Sequence, residues 1–421
     1  MKRLRKRPAH SRGYRPKGFA ATSRTRKAIG RSIFSDAIDY PIAVLMDDVM
    51  ATNSREMMEY CKRNGFLIAP HGKTYMAPTL LERQLSDGVW GFSATSNWQM
   101  RTLYAMGINR IILTNEIVNS TAIKWIVETL KKDKNFDLMV YVDSVSGVQL
   151  LESTVAKFTP AKSIDVLIEI GFLGGRGGAR SKDTAIKVAL AVSKSNYLRL
   201  RGISGFEGIA LPPENGTVLD GVNLLLDLIV DTAKEIDSLG FFAKTTDIVL
   251  SAGGSNYFDR AVDKFSSVYL SKPIIRILRA GCYLTHDDGD SSPDDRITDP
   301  KIDLPHFQPA LHVWGEVLSI PEPTRAIVGI GRRDASFDLS MPVPKFMRRS
   351  GSNFLEPATG MSTYTMNDQH LYLNLSKESS VNIGDLISFG IAHPCTTFDK
   401  WRTLAIVDRN YNIVDLIDTY F

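Results

Sequence analysis

Three short stretches of this chain carry residues able to do chemistry. In the first, Gly65-Phe66-Leu67-Ile68-Ala69-Pro70-His71-Gly72-Lys73-Thr74, an apolar run of four leads into a turn that presents one lysine. Such a run, bounded by turn residues, suits a parallel strand covered on both faces. A lysine at the end of that strand sits where α/β folds put their reactive groups. Partly desolvated there, the Lys73 amine gives up its proton near neutral pH and forms a Schiff base. A lone lysine is ordinarily a solvated loop residue, so its weight depends on the rest of the chain.

The second stretch is His393-Pro394-Cys395. On an extended chain i and i+2 project to one side, so an imidazole and a thiol form a half-site for zinc, which accepts N and S ligands. The ordinary alternative is a core cysteine beside a turn histidine. His370, in Asn367-Asp368-Gln369-His370, is a further candidate polar group. With two protein ligands such a metal completes its coordination with water or substrate, as a catalytic site does.

The third feature is a pair of glycine loops, Ser251-Ala252-Gly253-Gly254-Ser255 and Arg279-Ala280-Gly281-Cys282-Tyr283. Bare backbone amides and hydroxyls at strand ends suit a phosphate group. Gly174-Gly175-Arg176-Gly177-Gly178 matches neither a dinucleotide fingerprint nor a P-loop. It reads as a flexible loop that places Arg176.

Apolar strand and helix patterns alternate from Pro41 onward and position these residues. The expected strands are Phe66–Ala69, Trp90–Ala94, Arg110–Thr114, Leu138–Val142, Asp165–Ile170, Leu200–Phe206, Ile248–Ser251 and Ile274–Leu278. Between them the pattern predicts helices over Met76–Gln84, Asn97–Ala105, Ser120–Lys131, Ser146–Val155, Lys182–Ser193 and Leu219–Leu239. Alternation of this kind means parallel crossovers, and eight strands in this length fit a (β/α)8 TIM-type barrel better than an open sheet. Lys73, Arg176, Glu207, Arg279 and both glycine loops would then gather at its C-terminal mouth. The two loops would follow the seventh and eighth strands, the usual barrel phosphate position.

A preceding strand, Ile42–Met46, leads to a helix over Asn53–Arg63 with Asn53 or Ser54 as N-cap. An acidic, turn-rich linker around Asp287–Asp295 separates the barrel from short strands at Ala310–Ile320, Arg325–Gly329, Leu371–Leu375, Asp385–Ile391 and Thr403–Asp408. Its spacing does not match a calcium loop. The expected organisation is a basic, disordered tail over 1–35, a barrel over 36–295 and a C-terminal β-rich domain over 296–421. The strand at 42–46 is a candidate member of that last domain.

Twelve of the 51 Lys and Arg lie in the first 31 residues, which contain no Asp or Glu. Without them the net charge of +5 becomes −7, so the basic character belongs to the tail. That tail reads as a solvated extension, a nucleic-acid or anionic-surface arm, or an Arg-rich targeting peptide. No apolar run approaches the roughly 18 residues that span a bilayer, and no membrane segment is expected. Three cysteines far apart in sequence, Cys61, Cys282 and Cys395, form no disulfide framework and read as a reduced, cytoplasmic pattern.

From Pro41 to its C-terminus the chain resembles the fold-type III pyridoxal-phosphate enzymes, the alanine-racemase-like barrels. Within them it most resembles the D-serine dehydratase / D-threonine aldolase branch. The signatures are Pro70-His71-Gly72-Lys73-Thr74, Asp368-Gln369-His370 and His393-Pro394-Cys395-Thr396-Thr397-Phe398-Asp399-Lys400-Trp401. The resemblance implies that Lys73 holds pyridoxal 5'-phosphate as a Schiff base and acts in catalysis, with His71 beside it. It implies that Arg176 approaches the cofactor phenolate, and that Gly253, Gly254, Ser255, Gly281 and Cys282 lie in the phosphate-cradling segments. His393 and Cys395 fall on the divalent-metal pair, and His370 lines the same cavity as a catalytic residue. A homodimer is usual in such enzymes.

The family's first motif often reads Arg-Pro-His-x-Lys-Thr-His-Lys; here Ala69 precedes the proline and Tyr75 and Met76 follow Thr74. Aldolase members usually carry His-x-Asp at the metal, and His-x-Cys favours zinc and the dehydratase side. The expected function is a zinc-dependent dehydratase of D-serine or related D-3-hydroxy amino acids, with retro-aldol cleavage of D-threonine-like substrates as the alternative. A non-catalytic cofactor-binding protein whose tail meets nucleic acid or a membrane is the reading from another class. A metal pair gives a carrier no advantage, so nucleic acid is not the expected partner.

Overall fold

The structure is a computed structural model that describes residues 17–19, 25–289, 304–377 and 379–421. The described residues form two compact units, one built from 58–73 and 85–281, the other from the described residues up to Met57, 74–84 and those from Cys282 onward.

The first unit is a ring of eight parallel strands: β1 (Leu67–Ile68), β2 (Phe92–Ala94), β3 (Arg110–Glu116), β4 (Asp137–Val142), β5 (Ile164–Ile170), β6 (Leu198–Gly205), β7 (Ile248–Ala252) and β8 (Ile274–Leu278). From β2 to β8 each strand pairs with the next, and β8 pairs onto β1 through Leu67–Ile277 and Ile68–Leu278. Backbone bonds from Trp90 N to Ile68 O and from Ser93 N to Pro70 O, both 2.9 Å, close the remaining seam. The expected barrel is therefore the observed one. Its interior packs Ala69, Ile112, Met139, Tyr141, Leu167, Val249 and Ile277 into one cluster, and strands buried on both faces read as continuous apolar runs for that reason.

The crossover helices begin where short polar side chains can cap them. Ser96, Asn119, Ser144, Ser181 and Thr217 each accept a hydrogen bond from an amide in the first turn, satisfying donors that a helix start leaves open. One crossover helix, Phe258–Ser266, was not expected from the sequence. Its buried residues Phe258, Ala261, Val262 and Phe265 nonetheless follow helical spacing.

The second unit is built on a mixed sheet. Ile42–Met46 runs antiparallel to Leu311–Glu322 and parallel to Thr403–Val407. Val343–Arg348, Leu386–Gly390 and Ile413–Asp418 extend the sheet, and Arg325–Val328, Met361–Met366 and Leu371–Leu375 continue from its longest strand. Two expectations need correction here. The helix after Met46 starts at Asp47, so Asn53 is not a cap. It is fully buried, donates to Leu284 O and Gln308 O, and accepts from Gln308 N.

The supposed tail also ends early. Ala28 and Ile33 are fully buried, and Gly30 and Ile33 donate to Ile413 O and Tyr411 O. The apolar residues at 28, 33, 37 and 38 are buried here. Of the acidic linker, 290–303 lies outside the described residues, and Asp288 is ion-paired with Lys345 at 2.9 Å. Among the described residues no helix is long and apolar enough to cross a membrane.

Candidate active site

β1 leads into a 3-10 turn, Gly72–Thr74, that carries Lys73. The approach to the turn is tied on both sides. Ala69 N donates to Leu278 O on β8, and the Ser93 hydroxyl, on β2, donates to Ala69 O at 2.8 Å. Gly72 packs against Leu103 so closely that a Cβ would lie 2.8 Å from its Cδ2, so the turn admits no side chain there. Lys73 itself is half-buried.

Positive charge collects beside this turn. Arg279, at the end of β8, is 2% exposed. Its guanidinium donates to the hydroxyls of Ser204 (2.9 Å) and Ser251 (2.5 Å) and to Gly205 O. The Tyr141 hydroxyl meets Ser204 at 2.5 Å, so one polar network crosses the barrel from β4 to β8. Arg176 stands over the Phe206 ring at 5.1 Å. His71 is held well below the usual histidine range, first by burial and then by Lys73, Arg279 and Arg176. It is therefore neutral, and its Nδ1 and Arg279 Nε are buried without a hydrogen-bond partner in the protein.

The loop carrying Arg176 is not flexible as expected. The Arg180 guanidinium donates to the carbonyls of Gly175, Arg176, Gly177 and Gly178 at 2.5–3.0 Å, which fixes its path. Gly177 lies against Glu169, and a Cβ there would meet Glu169 Oε2 at 2.6 Å. Glu169 is pushed up to about 8, chiefly by burial and then by the neighbouring Glu116 carboxylate, with Arg176 opposing. Glu116 is raised as well, first by burial and then by Asp143.

The Gly253-Gly254 loop takes the shape of an anion cradle, with Gly253 at φ +83°, and the protein supplies an anion to it. The fully buried Glu207 carboxylate accepts from Gly253 N at 3.1 Å and Gly254 N at 2.5 Å. A phosphate bound here would use the exposed Ser255 and Gly281. A cluster of Lys73, Arg176 and Arg279 with two unsatisfied buried nitrogens suits a group bearing phosphate and phenolate charge. The residues present fit pyridoxal phosphate.

The second unit holds the sulfur and imidazole donors. His393-Pro394-Cys395 is not extended; Pro394 opens a short helix, Pro394–Phe398, at the position where proline costs a helix nothing. His393 and Cys395 still hydrogen-bond each other. His393 Nδ1 lies 2.6 Å from Asp338 Oδ2, and Asp338 Oδ1 accepts from Thr396. The Cys395 hydrogen bond, with Asp338 adding, raises His393 to about 9 against the effect of burial.

Cys282, expected near the phosphate, has its thiol 3.6 Å from Cys395, and Cys395 is 3.3 Å from Thr74 Oγ1. Tyr75, where the family motif often has histidine, is fully buried edge-on against Phe398. His370 stands exposed in the turn before Leu371–Leu375.

An imidazole whose Nδ1 is held by a carboxylate presents Nε2 to a metal, the usual outer-shell arrangement. With an adjacent thiol, the donors fit zinc. Among the described residues no group of three or more His, Cys, Asp or Glu side chains is assembled around a metal position.

Residues 310–407 match the family described as "Putative serine dehydratase domain". A D-threonine aldolase from Arthrobacter sp. is 24% identical over 380 residues, 88% of this chain and 89% of that protein. Among solved structures, D-threonine aldolase from Filomicrobium marinum superposes with a TM-score of 0.73 at 22% identity, over 91% of this chain and 95% of the other. D-threo-3-hydroxyaspartate dehydratase from Delftia sp. HT23 gives 0.68 at 17% identity, over 91% and 97%. A cysteine-to-alanine variant of a dehydratase of that name has been solved in its metal-free form.

Proposed function

This chain belongs to the fold-type III pyridoxal-phosphate family, and we propose that it is a zinc-dependent dehydratase of D-serine or related D-3-hydroxy amino acids, releasing a 2-oxo acid and ammonia. The observation that carries the choice of reaction is the thiol of Cys395 beside a His393 imidazole oriented by Asp338. A thiolate in the donor set favours zinc over the harder metals. In the solved dehydratase variant without metal it is a cysteine that has been replaced.

Pyridoxal phosphate, when bound, supplies the electron sink for negative charge at the substrate α-carbon. Zinc supplies a Lewis acid at a hydroxyl oxygen. In this reading Lys73 Nζ holds the cofactor, and once displaced by the substrate amine takes the α-proton. Arg176, with Gly281 and Ser255, offsets the cofactor's negative charge. His71, kept neutral, offers Nδ1 as a hydrogen-bonding group without adding a charge. His393 and Cys395 hold the metal, and His370 is an additional polar group for the substrate.

A homodimer is part of this reading. Val118, Leu173, Ile209 and Leu211, all in loops after barrel strands, are 43–82% exposed, an apolar rim that a second copy would cover.

The second reading is retro-aldol cleavage to glycine and an aldehyde, favoured by the two aldolase relatives at 24% and 22% identity. Purified protein supplied with pyridoxal phosphate and zinc, offered D-serine and D-threonine separately, separates the two. Pyruvate or 2-oxobutyrate with ammonia, lost on chelation, is expected; glycine with acetaldehyde would replace the dehydratase reading by the aldolase one. Lys73→Ala should lose the near-visible absorbance of lysine-bound cofactor, and a variant that kept that band and full turnover would refute the lysine assignment.

A further inference from the structure

The three cysteines are not equivalent. Cys61 is 2% exposed, and burial pushes its thiol up to about 12. Cys282 and Cys395 are both half-buried and, though 113 positions apart in the chain, place their sulfurs 3.6 Å from each other. That is far from the roughly 2.0 Å of a disulfide. It is close to the edge of about 3.8 Å between two thiolates bound to one tetrahedral zinc at about 2.3 Å. Cys395 also hydrogen-bonds His393, so a nitrogen and two sulfurs stand in series with Cys395 in the middle. All three belong to the same unit.

We propose that Cys282 is a second thiolate ligand of the metal held by His393 and Cys395. The proposal rests on the metal reading above and extends it to the donor set and the class of metal. Among the described residues the three donors do not yet surround one point. With His393 held on Asp338, the remaining edge closes by a change of rotamer at the half-buried Cys282.

Two thiolates neutralise a dication and select soft, thiophilic ions, zinc and cadmium over manganese or magnesium. One imidazole and two thiolates also leave a single tetrahedral position open, as a catalytic zinc requires. The metal would therefore be a milder Lewis acid than one held by His393 and Cys395 alone, and more tightly kept.

The test uses cadmium added to the full-length, metal-stripped protein. The readout is the ultraviolet thiolate-to-cadmium charge-transfer absorbance per bound ion, which scales with the number of thiolates and needs no turnover. Cys282→Ser and Cys395→Ser should each about halve it, and Cys61→Ser should leave it unchanged. A Cys282→Ser protein that binds one cadmium with the full band overturns the inference and leaves the His393–Cys395 metal reading standing. No stoichiometric binding, or a full band in Cys395→Ser, removes both.

A second measurement avoids substitutions altogether. Alkylation of the native chain with and without zinc, mapped by peptide mass, should show Cys282 and Cys395 protected together. Protection of Cys395 alone overturns the proposal.

Discussion

Replacing Glu207 tests how the cofactor end of the barrel is shaped. Its carboxylate is fully buried and accepts two backbone amides, those of Gly253 and Gly254. Glu207→Gln retains one acceptor oxygen and turns an NH2 toward the other amide, which loses one charged hydrogen bond and strands a buried donor. A hydrogen bond to a charged group contributes about 1.5–3 kcal/mol, and a stranded buried group costs about 1–3 kcal/mol. Part of each relaxes away, so ~3 kcal/mol is the expected loss. For a unit of roughly 200 residues that is a drop of roughly 6–12 °C in Tm.

The assay is thermal unfolding of the cofactor-free protein by circular dichroism, alongside absorbance titration with pyridoxal phosphate. Because Gly253 holds a left-handed φ of +83°, loosening the loop should also weaken cofactor binding, by a factor of ten for every 1.4 kcal/mol lost. A Glu207→Gln protein with Tm within about 1 °C of the parent and unchanged cofactor affinity would refute the role assigned to Glu207.

Three further expectations follow from buried polar groups. Asn53→Ala strands the Leu284 and Gln308 carbonyls and the Gln308 amide, and should cost about 2–4 kcal/mol in a denaturant titration. An Asn53→Asp protein that matched the parent would contradict this, since aspartate supplies no donor. Glu169 carries a carboxyl raised to about 8, so the folded state keeps a proton that the unfolded chain releases above pH ~4.3. Stability should then fall as pH rises from there to about 8, by at most about 1.4 kcal/mol per pH unit; Glu169→Gln should flatten that slope, measured on cofactor-free protein. Finally, Asp338→Asn should weaken zinc binding about 10- to 100-fold in a competition titration against a chromogenic chelator, with unchanged affinity showing that Asp338 does not orient His393.

The barrel was legible because its strands are buried on both faces and its helices open on Ser, Asn or Thr caps. Ile164–Ile170, buried at every position, leaves little choice of reading. Less was legible in the second unit, where Val343–Arg348 and Met361–Met366 have partly exposed faces filled by Lys, Arg, Ser and Thr. The helix Phe258–Ser266 was hidden by its charged residues, although its apolar spacing was there to be counted.

Among functional residues, Lys73 and His393-x-Cys395 stood out because their neighbours form short local patterns. Arg279 and Glu207 were visible only as polar residues at strand ends, and Arg180 gave no signal at all. Their partners, Ser204 and Ser251, the Gly253 and Gly254 amides, and the 175–178 carbonyls, are contacts made by folding rather than by spacing. The approach of Cys282 to Cys395 is of the same kind, as no local pattern links positions 113 residues apart.

The two-residue strand β1 has a consequence for how the molecule is made. Its ladder partners are Ile277 and Leu278, which leave the ribosome roughly 210 residues after Leu67 and Ile68. Closing so long a loop is slow relative to pairing neighbouring strands, and domains fold as their sequence emerges. Strands β2 to β7 can stack in order while β1, its backbone tied to its neighbour only through the Ile68 and Pro70 carbonyls, waits for its ladder partner. Lys73 is thus among the first barrel residues to be translated and among the last to be set in place. The appearance of lysine-bound cofactor absorbance during refolding should therefore lag helix formation, and serve as a clock for the closing of the ring.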